Sequence, residues 1–165
     1  MGSGSGQQIV TWVPATQKSS TATLWWLRES NEASDTCQPG TPIRCGETIR
    51  LTHLETKRNL HSHAIPSPLS RQQEVSGYGN DGEGDSADDW IVECSGPGSL
   101  WMRDTKVRLR HVETDKYLAG SANVKFTAQN CGHGCPILNH LEAFGRKQKD
   151  DYSYVRVEMG VMLTK

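Results

Sequence analysis

The stretch Ile49-Arg-Leu-Thr-His-Leu-Glu-Thr56 decides the fold, because it returns 58 residues later as Val107-Arg-Leu-Arg-His-Val-Glu-Thr114. In both stretches apolar residues and a histidine alternate with polar residues, which is the period-2 pattern of a half-buried β-strand. Self-similarity at a fixed spacing is the signature of a repeat architecture. The sequence therefore predicts strands that occupy equivalent places in successive copies of one unit.

Two further elements recur behind this strand. The second element reads Gln7-Gln-Ile-Val-Thr11, Gln72-Gln-Glu-Val-Ser76 and Asn139-His-Leu-Glu-Ala143, and the third is a strand around Trp25, Trp90 and Val155. The three positions of the third element are spaced 65 residues apart. One unit therefore spans about 60 residues, in the order "R-L-x-H", "Q-x-x-V" and "W-x-V".

The copies are predicted to form a single domain over residues 1–165. Copy one covers 1–36 and lacks its "R-L-x-H" strand, copy two covers 37–95, and copy three covers 96–165. No stretch has the sustained 3.6-residue period and caps of a helix. An all-β chain of three repeats predicts a β-trefoil that is incomplete at its N-terminus, since a propeller normally needs at least four blades.

Composition excludes several classes of partner. The chain of 165 residues is 35% hydrophobic and carries a formal net charge of −1, which is not the surface of a nucleic-acid or anionic-membrane binder. No apolar run approaches the roughly 18 residues that a membrane span needs. The sequence therefore predicts no nucleic-acid partner and no membrane span.

Catalytic signatures are missing from the sequence. It has no G-x-S-x-G, H-E-x-x-H, phosphate-binding or dinucleotide-binding glycine motif. The residues that repeat are strand and core residues, whereas a catalytic constellation is usually unique. The sequence predicts a binding protein with no catalytic residues and no cofactor.

The histidines and the acidic run raise the question of a metal site. His61 and His63 lie two apart, so they share one face of a strand, but no further ligands stand at a telling spacing. Segment 81–89 lacks the glycine of a calcium-binding loop and is interpreted as a solvated turn. His53 and His111 continue an apolar face and are predicted to hydrogen-bond turns. The sequence therefore predicts no metal site.

The chain has five cysteines, so at least one of them is left over from any set of disulfides. They are Cys37, Cys45, Cys94, Cys131 and Cys135. All five are candidates for disulfides, and their pairing and the redox compartment stay open on this count. The segment Cys131-Gly-His-Gly-Cys135 could be a local disulfide, half of a zinc site or two free thiols, and zinc is the least favoured of the three.

A family resemblance rests on the second copy. The segment Cys45-Gly-Glu-Thr-Ile-Arg-Leu-Thr-His-Leu-Glu-Thr-Lys-Arg-Asn-Leu-His-Ser-His63 resembles a MIR repeat, named for protein mannosyltransferases, inositol-trisphosphate receptors and ryanodine receptors. Pro66-Ser-Pro-Leu-Ser70, Gln73-Glu-Val-Ser76 and Asp88-Asp-Trp90 resemble the stromal cell-derived factor 2-like branch. The third copy departs from the pattern, with Ala119-Gly-Ser121 where the second copy has His61-Ser-His63.

The resemblance implies a β-trefoil that resides in the lumen of the endoplasmic reticulum or is secreted, with the signal peptide lost by truncation. It implies a role in protein quality control beside a J-domain co-chaperone and unfolded clients, and one disulfide among Cys37, Cys45 and Cys94. The alternative is a trefoil that binds carbohydrate or glycoprotein, or the MIR portion of a protein O-mannosyltransferase. The polar binding face is predicted to contain Arg58, His61, His63 and Glu74.

Overall fold

The computed structural model describes residues 2–17, 20–36, 38–96 and 98–158. Within these ranges the regular structure is mostly strand, joined by turns and loops, with short 3₁₀ helices and one short α-helix, α1 (Ala128–Cys131). The strands are β1 (Gln8–Ile9), β2 (Thr11–Trp12), β3 (Trp25–Glu29), β4 (Thr48–His53), β5 (Asn59–Pro66), β6 (Gln73–Tyr78), β7 (Trp90–Cys94), β8 (Val107–His111), β9 (Tyr117–Ala119), β10 (Leu141–Glu142) and β11 (Phe144–Arg146). The predicted all-β class is confirmed, and no helix of the described residues has the length and apolar composition that a bilayer crossing requires.

Seven of the strands close into a barrel. Starting from β4, the antiparallel pairs run to β5, β6, β11, β9, β8 and β7, and β7 pairs with β4 again. Closure leaves none of these seven strands with an open edge, which is the usual solution for an all-β protein. Outside the ring, β3 attaches to β4 and β1 to β6, while β2 pairs with β10.

The barrel encloses one apolar core. Its buried members come from all parts of the ring: Ile49, Leu60, Val75, Trp90, Val92, Val107, Leu109, Leu118 and Ala143. The indole of Trp90 is fully buried and its Nε1 donates a hydrogen bond of 2.9 Å to the Leu60 carbonyl. Because the indole N–H has a hydrogen-bond partner, the large ring can be buried at the centre of the core.

Strand β4 is covered on both faces, although the alternation predicts one exposed face. Arg50 and Thr52 are both buried. The Arg50 guanidinium donates to the carbonyls of Glu29 and Gly82, at 2.9 and 3.4 Å. The turn that carries Gly82 folds over this face, so the polar side chains are buried with partners rather than solvated.

The internal repetition is visible in the backbone as well as in the sequence. Three 3₁₀ helices start 65 residues apart, at Thr21–Thr23, Ser86–Asp88 and Asp151–Ser153. In two copies a histidine locks such a helix to a turn. His53 bonds the Thr56 hydroxyl and the Ala22 carbonyl, both at 3.0 Å. His111 makes the same two contacts, so the turn-bonding role predicted for both histidines is confirmed.

Two disulfides are present among the described residues. Cys45 pairs with Cys94 and Cys131 pairs with Cys135. The first joins residues 49 positions apart and ties the start of the β4 segment to the end of β7. The remaining candidate, Cys37, lies outside the described residues.

Candidate binding site on strands β5 and β6

The hairpin of β5 and β6 places three of the predicted binding residues side by side. His61 and His63 project to one face of β5 because side chains alternate along a strand. Glu74 lies directly opposite His63 in the antiparallel register. The rings of His61 and His63 are 5.1 Å apart and perpendicular. The structure therefore brings His61, His63 and Glu74 together on one face of the hairpin.

A buried carboxylate holds His61 from behind. Its Nδ1 lies 2.8 Å from Oδ1 of Asp88 and 3.6 Å from Oδ1 of Asp85. The Asp88 side chain is fully buried, and its other oxygen accepts from Asn59 Nδ2 at 2.8 Å and from the Asp85 backbone N–H at 3.1 Å. Since both oxygens are satisfied, the carboxylate fixes the orientation of the imidazole.

Gly84 is needed for this arrangement. A Cβ atom at this position would lie 1.7 Å from Oδ2 of Asp88 and 2.7 Å from Nδ2 of Asn59. No side chain can therefore replace glycine without displacing the Asp88–Asn59 pair. The glycine in the acidic run allows a close approach of the backbone to the carboxylate.

A second buried carboxylate holds His63. Oε2 of Glu74 lies 2.5 Å from Nε2 of His63, while Oε1 accepts from the Ser3 hydroxyl and from the Ser5 backbone N–H at 2.9 Å. Burial on its own would raise the pKa of Glu74, but these hydrogen bonds outweigh it and lower the pKa. Glu74 therefore stays ionised and ties the N-terminal arm, residues 2–7, to the histidine cluster.

Tyr78 completes a row of three rings. Its ring lies 4.6 Å from that of His61, on the side away from His63. Tyr78 and Asp85 are exposed and His63 is partly exposed, whereas His61 is buried. We call the row of Tyr78, His61 and His63 the ring face. It presents an aromatic surface, a phenol hydroxyl and an imidazole edge to solvent.

The structure does not bring Arg58 into this cluster. Arg58 precedes β5, its side chain is exposed, and it makes no ion pair with any described residue. Its Cβ lies 3.5 Å from the point where a Cβ on Gly77 would stand, and Gly77 faces Leu60 in the register. Arg58 is thus on the Leu60 side of the strand, opposite to His61 and His63.

The prediction of a solvated acidic turn is wrong for two of its members. Asp88 and Asp89 are buried, because the 3₁₀ helix Ser86–Asp88 turns them inward toward hydrogen-bond donors. Asp89 accepts from the Asn31 backbone N–H at 2.8 Å. Burial raises the pKa of Asp89, and this hydrogen bond and nearby Arg50 only partly oppose it.

Donor atoms of His61, Asp85 and Asp88 lie within 4.8 Å of one another, a spacing that a metal ion could use. Each of them already takes part in a hydrogen bond. Asp85 Oδ1 accepts from the Ala87 backbone N–H at 3.0 Å, and the Asp88–His61 pair is described above. The sequence-based expectation of no metal site stays a prediction.

The third copy has a different surface at the equivalent place. Ala119 and Ser121 stand where His61 and His63 are in the second copy, and Ser153 stands at the Asp88 position. The Trp12 indole covers this region, with Nε1 donating to the Ala119 carbonyl at 3.0 Å. Beside it lies a cavity of 280 Å³ lined by Trp12, Gly120, Leu141, Asp151, Tyr152 and Tyr154.

The third copy keeps the buried glutamate. Glu142 accepts from the Ser67 hydroxyl at 3.0 Å, from the Leu69 N–H at 2.7 Å and from the Ser70 N–H at 2.9 Å. In the second copy, Glu74 accepts from the Ser3 hydroxyl and the Ser5 backbone N–H of the N-terminal arm. Both carboxylates anchor a serine-containing loop to the barrel.

Sequence reasoning missed Asp88 and Tyr78 as members of the site. Tyr78 carried no signal, since a tyrosine at the end of a strand is equally compatible with packing. For Asp88 the sequence did contain a signal. Asp88 lies two residues before Trp90, at a fixed place in the repeat unit, and the other copies have Thr23 and Ser153 at that place. A carboxylate that occurs in only one copy, beside the only copy with paired histidines, points to a local partner.

Comparison with known proteins places the chain in a family. The MIR domain model matches residues 3–134. Stromal cell-derived factor 2 of Mus musculus is 43% identical over 162 residues, which cover 98% of this chain and 70% of that protein. A crystal structure of the SDF2-like protein from Arabidopsis thaliana superposes with a TM-score of 0.84 at 32% identity, and the match covers 99% of this chain and 83% of that one.

A more distant structural match is to part of an enzyme complex. The structure of an S. cerevisiae protein O-mannosyltransferase complex bound to the sugar donor matches with a TM-score of 0.63 at 32% identity. The match covers 82% of this chain and 19% of that one. Together, the family model and the extent of the matches show that this chain is a MIR-domain protein of the family of stromal cell-derived factor 2 and its SDF2-like relatives.

Proposed function

We propose that this chain is a non-enzymatic binding module of the endoplasmic reticulum lumen or the secretory pathway, which holds unfolded polypeptide for a J-domain co-chaperone during folding and quality control. Membership of the SDF2-like family supports the setting. The two disulfides support an oxidising compartment. The ring face supports the binding role.

The observation that carries the proposal is that two fully buried carboxylates hold the two histidines of the ring face in place. Burying Asp88 and Glu74 is costly unless they are hydrogen-bonded, and here both are. Each also bonds one histidine of the row. A surface held this rigidly loses little conformational entropy on binding, which favours recognition.

The chemistry of the ring face suits a polypeptide. The exposed side of Tyr78 offers aromatic area and a hydroxyl, and exposed Asp85 offers a carboxylate 3.6 Å from His61. Tyrosine is enriched in binding interfaces because its ring is rigid and its hydroxyl can reach a partner. Backbone N–H groups and basic side chains of an extended chain would find acceptors here.

We also propose that the seven-stranded barrel is a β-trefoil in one domain, 1–165, of three MIR-type copies, with an incomplete first copy. The supporting observations are the 65-residue spacing of the three 3₁₀ helices and the matching contacts of His53 and His111. Superposition of the second copy onto the third should align β4 with β8 and β7 with residues 154–157. A rotation far from 120° between them would contradict the trefoil.

The test of the binding role uses the purified chain, a J-domain co-chaperone and a reduced unfolded client. The variant Tyr78→Ala with His63→Ala should weaken capture about tenfold or more, which is the scale of a central contact residue. The matched control is Tyr152→Ala, since Tyr152 is an exposed ring of the third copy (48% exposed, against 38% for Tyr78) that lies outside the ring face. Unchanged affinity of the double variant, with its melting temperature retained, would remove the ring face from the binding role.

A second candidate function is binding of carbohydrate or glycoprotein. The cavity in the third copy sets Trp12, Tyr152 and Tyr154 beside Asp151, the pairing of aromatic platforms and a carboxylate that sugar binding requires. The structural match to a protein O-mannosyltransferase complex supports the same idea. Binding to a glycan array that Tyr152→Ala abolishes, without capture of a co-chaperone, would favour this function over the first.

A further inference from the structure

The loop between Phe126 and His140 is closed at its base without help from a crosslink. The Phe126 N–H donates to the His140 carbonyl and the Asn139 N–H donates to the Phe126 carbonyl, both at 2.9 Å. Phe126 itself is buried. Helix α1 and the Cys131–Cys135 disulfide lie in the part of the loop that projects beyond this base.

This disulfide contributes little to holding the fold together. It joins residues only four positions apart, whereas Cys45–Cys94 joins residues 49 apart. In the chain-entropy account a crosslink constrains the unfolded chain more when the loop that it closes is longer. Since backbone hydrogen bonds already close the base, the barrel does not depend on Cys131–Cys135.

The disulfide is also accessible. Cys131 and Cys135 are partly exposed, and the three residues between them are exposed. Gly132 and Gly134 have φ values of +85° and +79°, and no heavy atom lies within 4 Å of a Cβ placed on either of them. The turn therefore stands clear of the barrel, and a thiolate can approach the sulfur atoms from solvent.

We propose that Cys131–Cys135 is a redox-active disulfide that exchanges with cysteine thiols of polypeptide substrates. Structural disulfides resist reduction, whereas exposed ones that contribute little to stability are the exchangeable class. Leu138, three residues beyond Cys135, is 45% exposed and offers an apolar contact to a substrate chain. This activity does not rest on the binding function proposed for the ring face.

The exchange is balanced with a substrate dithiol as the reductant. One substrate thiolate attacks the sulfur of one cysteine, the S–S bond breaks, and the other cysteine leaves as a thiolate that takes up a proton. The second substrate thiolate then attacks the mixed disulfide and releases the first cysteine. The substrate gains a disulfide and loses two electrons, and Cys131 and Cys135 become thiols.

His133 is the residue of this turn whose side chain can exchange a proton with a thiol. It lies midway between the two cysteines, flanked by two glycines, and its side chain is exposed. An imidazolium can donate to the leaving thiolate, and the neutral ring can take a proton from an incoming thiol. In this role His133 changes the rate of thiol–disulfide exchange and leaves its equilibrium unchanged. A purely structural role would instead change the equilibrium.

The first test is a redox titration of the complete chain carrying Cys37→Ser, which removes exchange with the fifth cysteine. The protein is equilibrated with reduced and oxidised glutathione at graded ratios, trapped with an alkylating agent and analysed by mass spectrometry of its peptides. Cys131–Cys135 should open at a ratio at least about tenfold less reducing than Cys45–Cys94. Opening of both disulfides at the same ratio would overturn the proposal.

The second test follows oxidation of a reduced peptide with two cysteines. The Cys37→Ser protein should oxidise one equivalent of the peptide, and a version that also carries Cys131→Ser and Cys135→Ser should oxidise none. His133→Gln should slow the reaction severalfold and leave the glutathione equilibrium unchanged. Equal oxidation of the peptide by the proteins with and without Cys131 and Cys135 would contradict the redox activity of the disulfide. A glutathione equilibrium shifted by His133→Gln, with no change in the rate of oxidation, would contradict the proton-transfer role of His133.

Discussion

The second and third copies share a buried polar framework but differ in the surface built on it. Both lock a 3₁₀ helix with a histidine, His53 or His111, and both anchor a loop with a buried glutamate, Glu74 or Glu142. Only the second copy adds the ring face and the carboxylate of Asp88 behind it. The shared residues stabilise the barrel, and the residues found in the second copy alone are those on which the proposed binding role rests.

The largest difference is expected at the Asp88 position and its counterpart Ser153. Asp88→Ala would remove the acceptor of two buried donors, His61 Nδ1 and one N–H of Asn59, whose other N–H bonds the Gly82 carbonyl. It would also remove the acceptor of the part-buried Asp85 backbone N–H. The unfolding free energy should fall by about 3 kcal/mol, the scale for breaking a buried charged network. Urea denaturation followed by tryptophan fluorescence measures this loss.

Ser153→Ala is the matched control in the third copy. Ser153 accepts from Arg108 Nε at 3.0 Å, and that guanidinium can turn to solvent and to the neighbouring Tyr154 ring. Loss of the Ser153 hydroxyl should lower the unfolding free energy by about 1 kcal/mol. Equal destabilisation by the two variants would mean that Asp88 is only another part of the shared framework, and not a device of the second copy.

The buried glutamates should differ by a smaller amount. In Glu142→Gln the amide oxygen can still accept from Ser67 and Ser70, but the NH₂ group then faces the Leu69 backbone N–H. This clash of two donors should lower the unfolding free energy by about 2 kcal/mol. In Glu74→Gln one of the three partners is His63, which can change tautomer and accept from the amide. A loss of about 1 kcal/mol is expected there.

The contribution of Glu74 to stability should also depend on pH in the acid range. The folded-state pKa of Glu74 is lowered, so its contribution to stability is present above its unfolded pKa of about 4.3 and is lost as pH falls below that value. Glu74→Gln should remove this part of the acid destabilisation. Should the acid limbs of the wild-type and variant stability curves coincide, the ionised state of Glu74 would not be what holds the N-terminal arm.

The comparison also shows what the sequence can predict. Repetition of "R-L-x-H" and of Trp25 and Trp90 was enough for the strands, the all-β class and the turn-bonding histidines, because these features follow from local pattern and spacing. The burial of Asp88, and the cover over Arg50, depend on how the turn around Gly82 and Gly84 folds back over the barrel.

The candidate site was predicted only in part. The pair His61 and His63 follows from alternation along a strand, and Glu74 faces them through strand pairing. Arg58 was also predicted to lie on the polar binding face. Alternation along β5 instead puts Arg58 on the Leu60 side, because Arg58 and His61 are an odd number of residues apart, and the structure agrees.

A smaller effect is expected in the pH dependence near neutrality, from two histidines of the third copy. Burial lowers the pKa of His111, although the Ala87 carbonyl and nearby Glu113 and Asp88 oppose it. The folded state therefore binds fewer protons than the unfolded state, and stability falls as pH drops below the unfolded histidine pKa of about 6.5. His111→Gln should flatten the decline in unfolding free energy between pH 7.5 and pH 5.5 (roughly one unit either side of that value).

The control for this prediction is His140→Gln. Burial also lowers the pKa of His140, so the variant should remove a part of the decline in the same direction. His140 is only partly buried, and its contribution should therefore be the smaller of the two. A decline that neither variant changes would assign the pH dependence to groups other than these two histidines.

The smallest effect is expected from metal ions at His61, Asp85 and Asp88. Binding of Zn²⁺ would have to replace the Asp88–His61 hydrogen bond and the contact of Asp85 with the Ala87 N–H. The network is already satisfied, so metal adds little and removes well-placed hydrogen bonds. The melting temperature should change by less than about 1 °C between excess chelator and excess Zn²⁺, because a ligand stabilises only in proportion to its binding. A rise of several degrees that Asp85→Ala abolishes would instead make this cluster a metal site that the third copy, with Ala119 and Ser153, lacks.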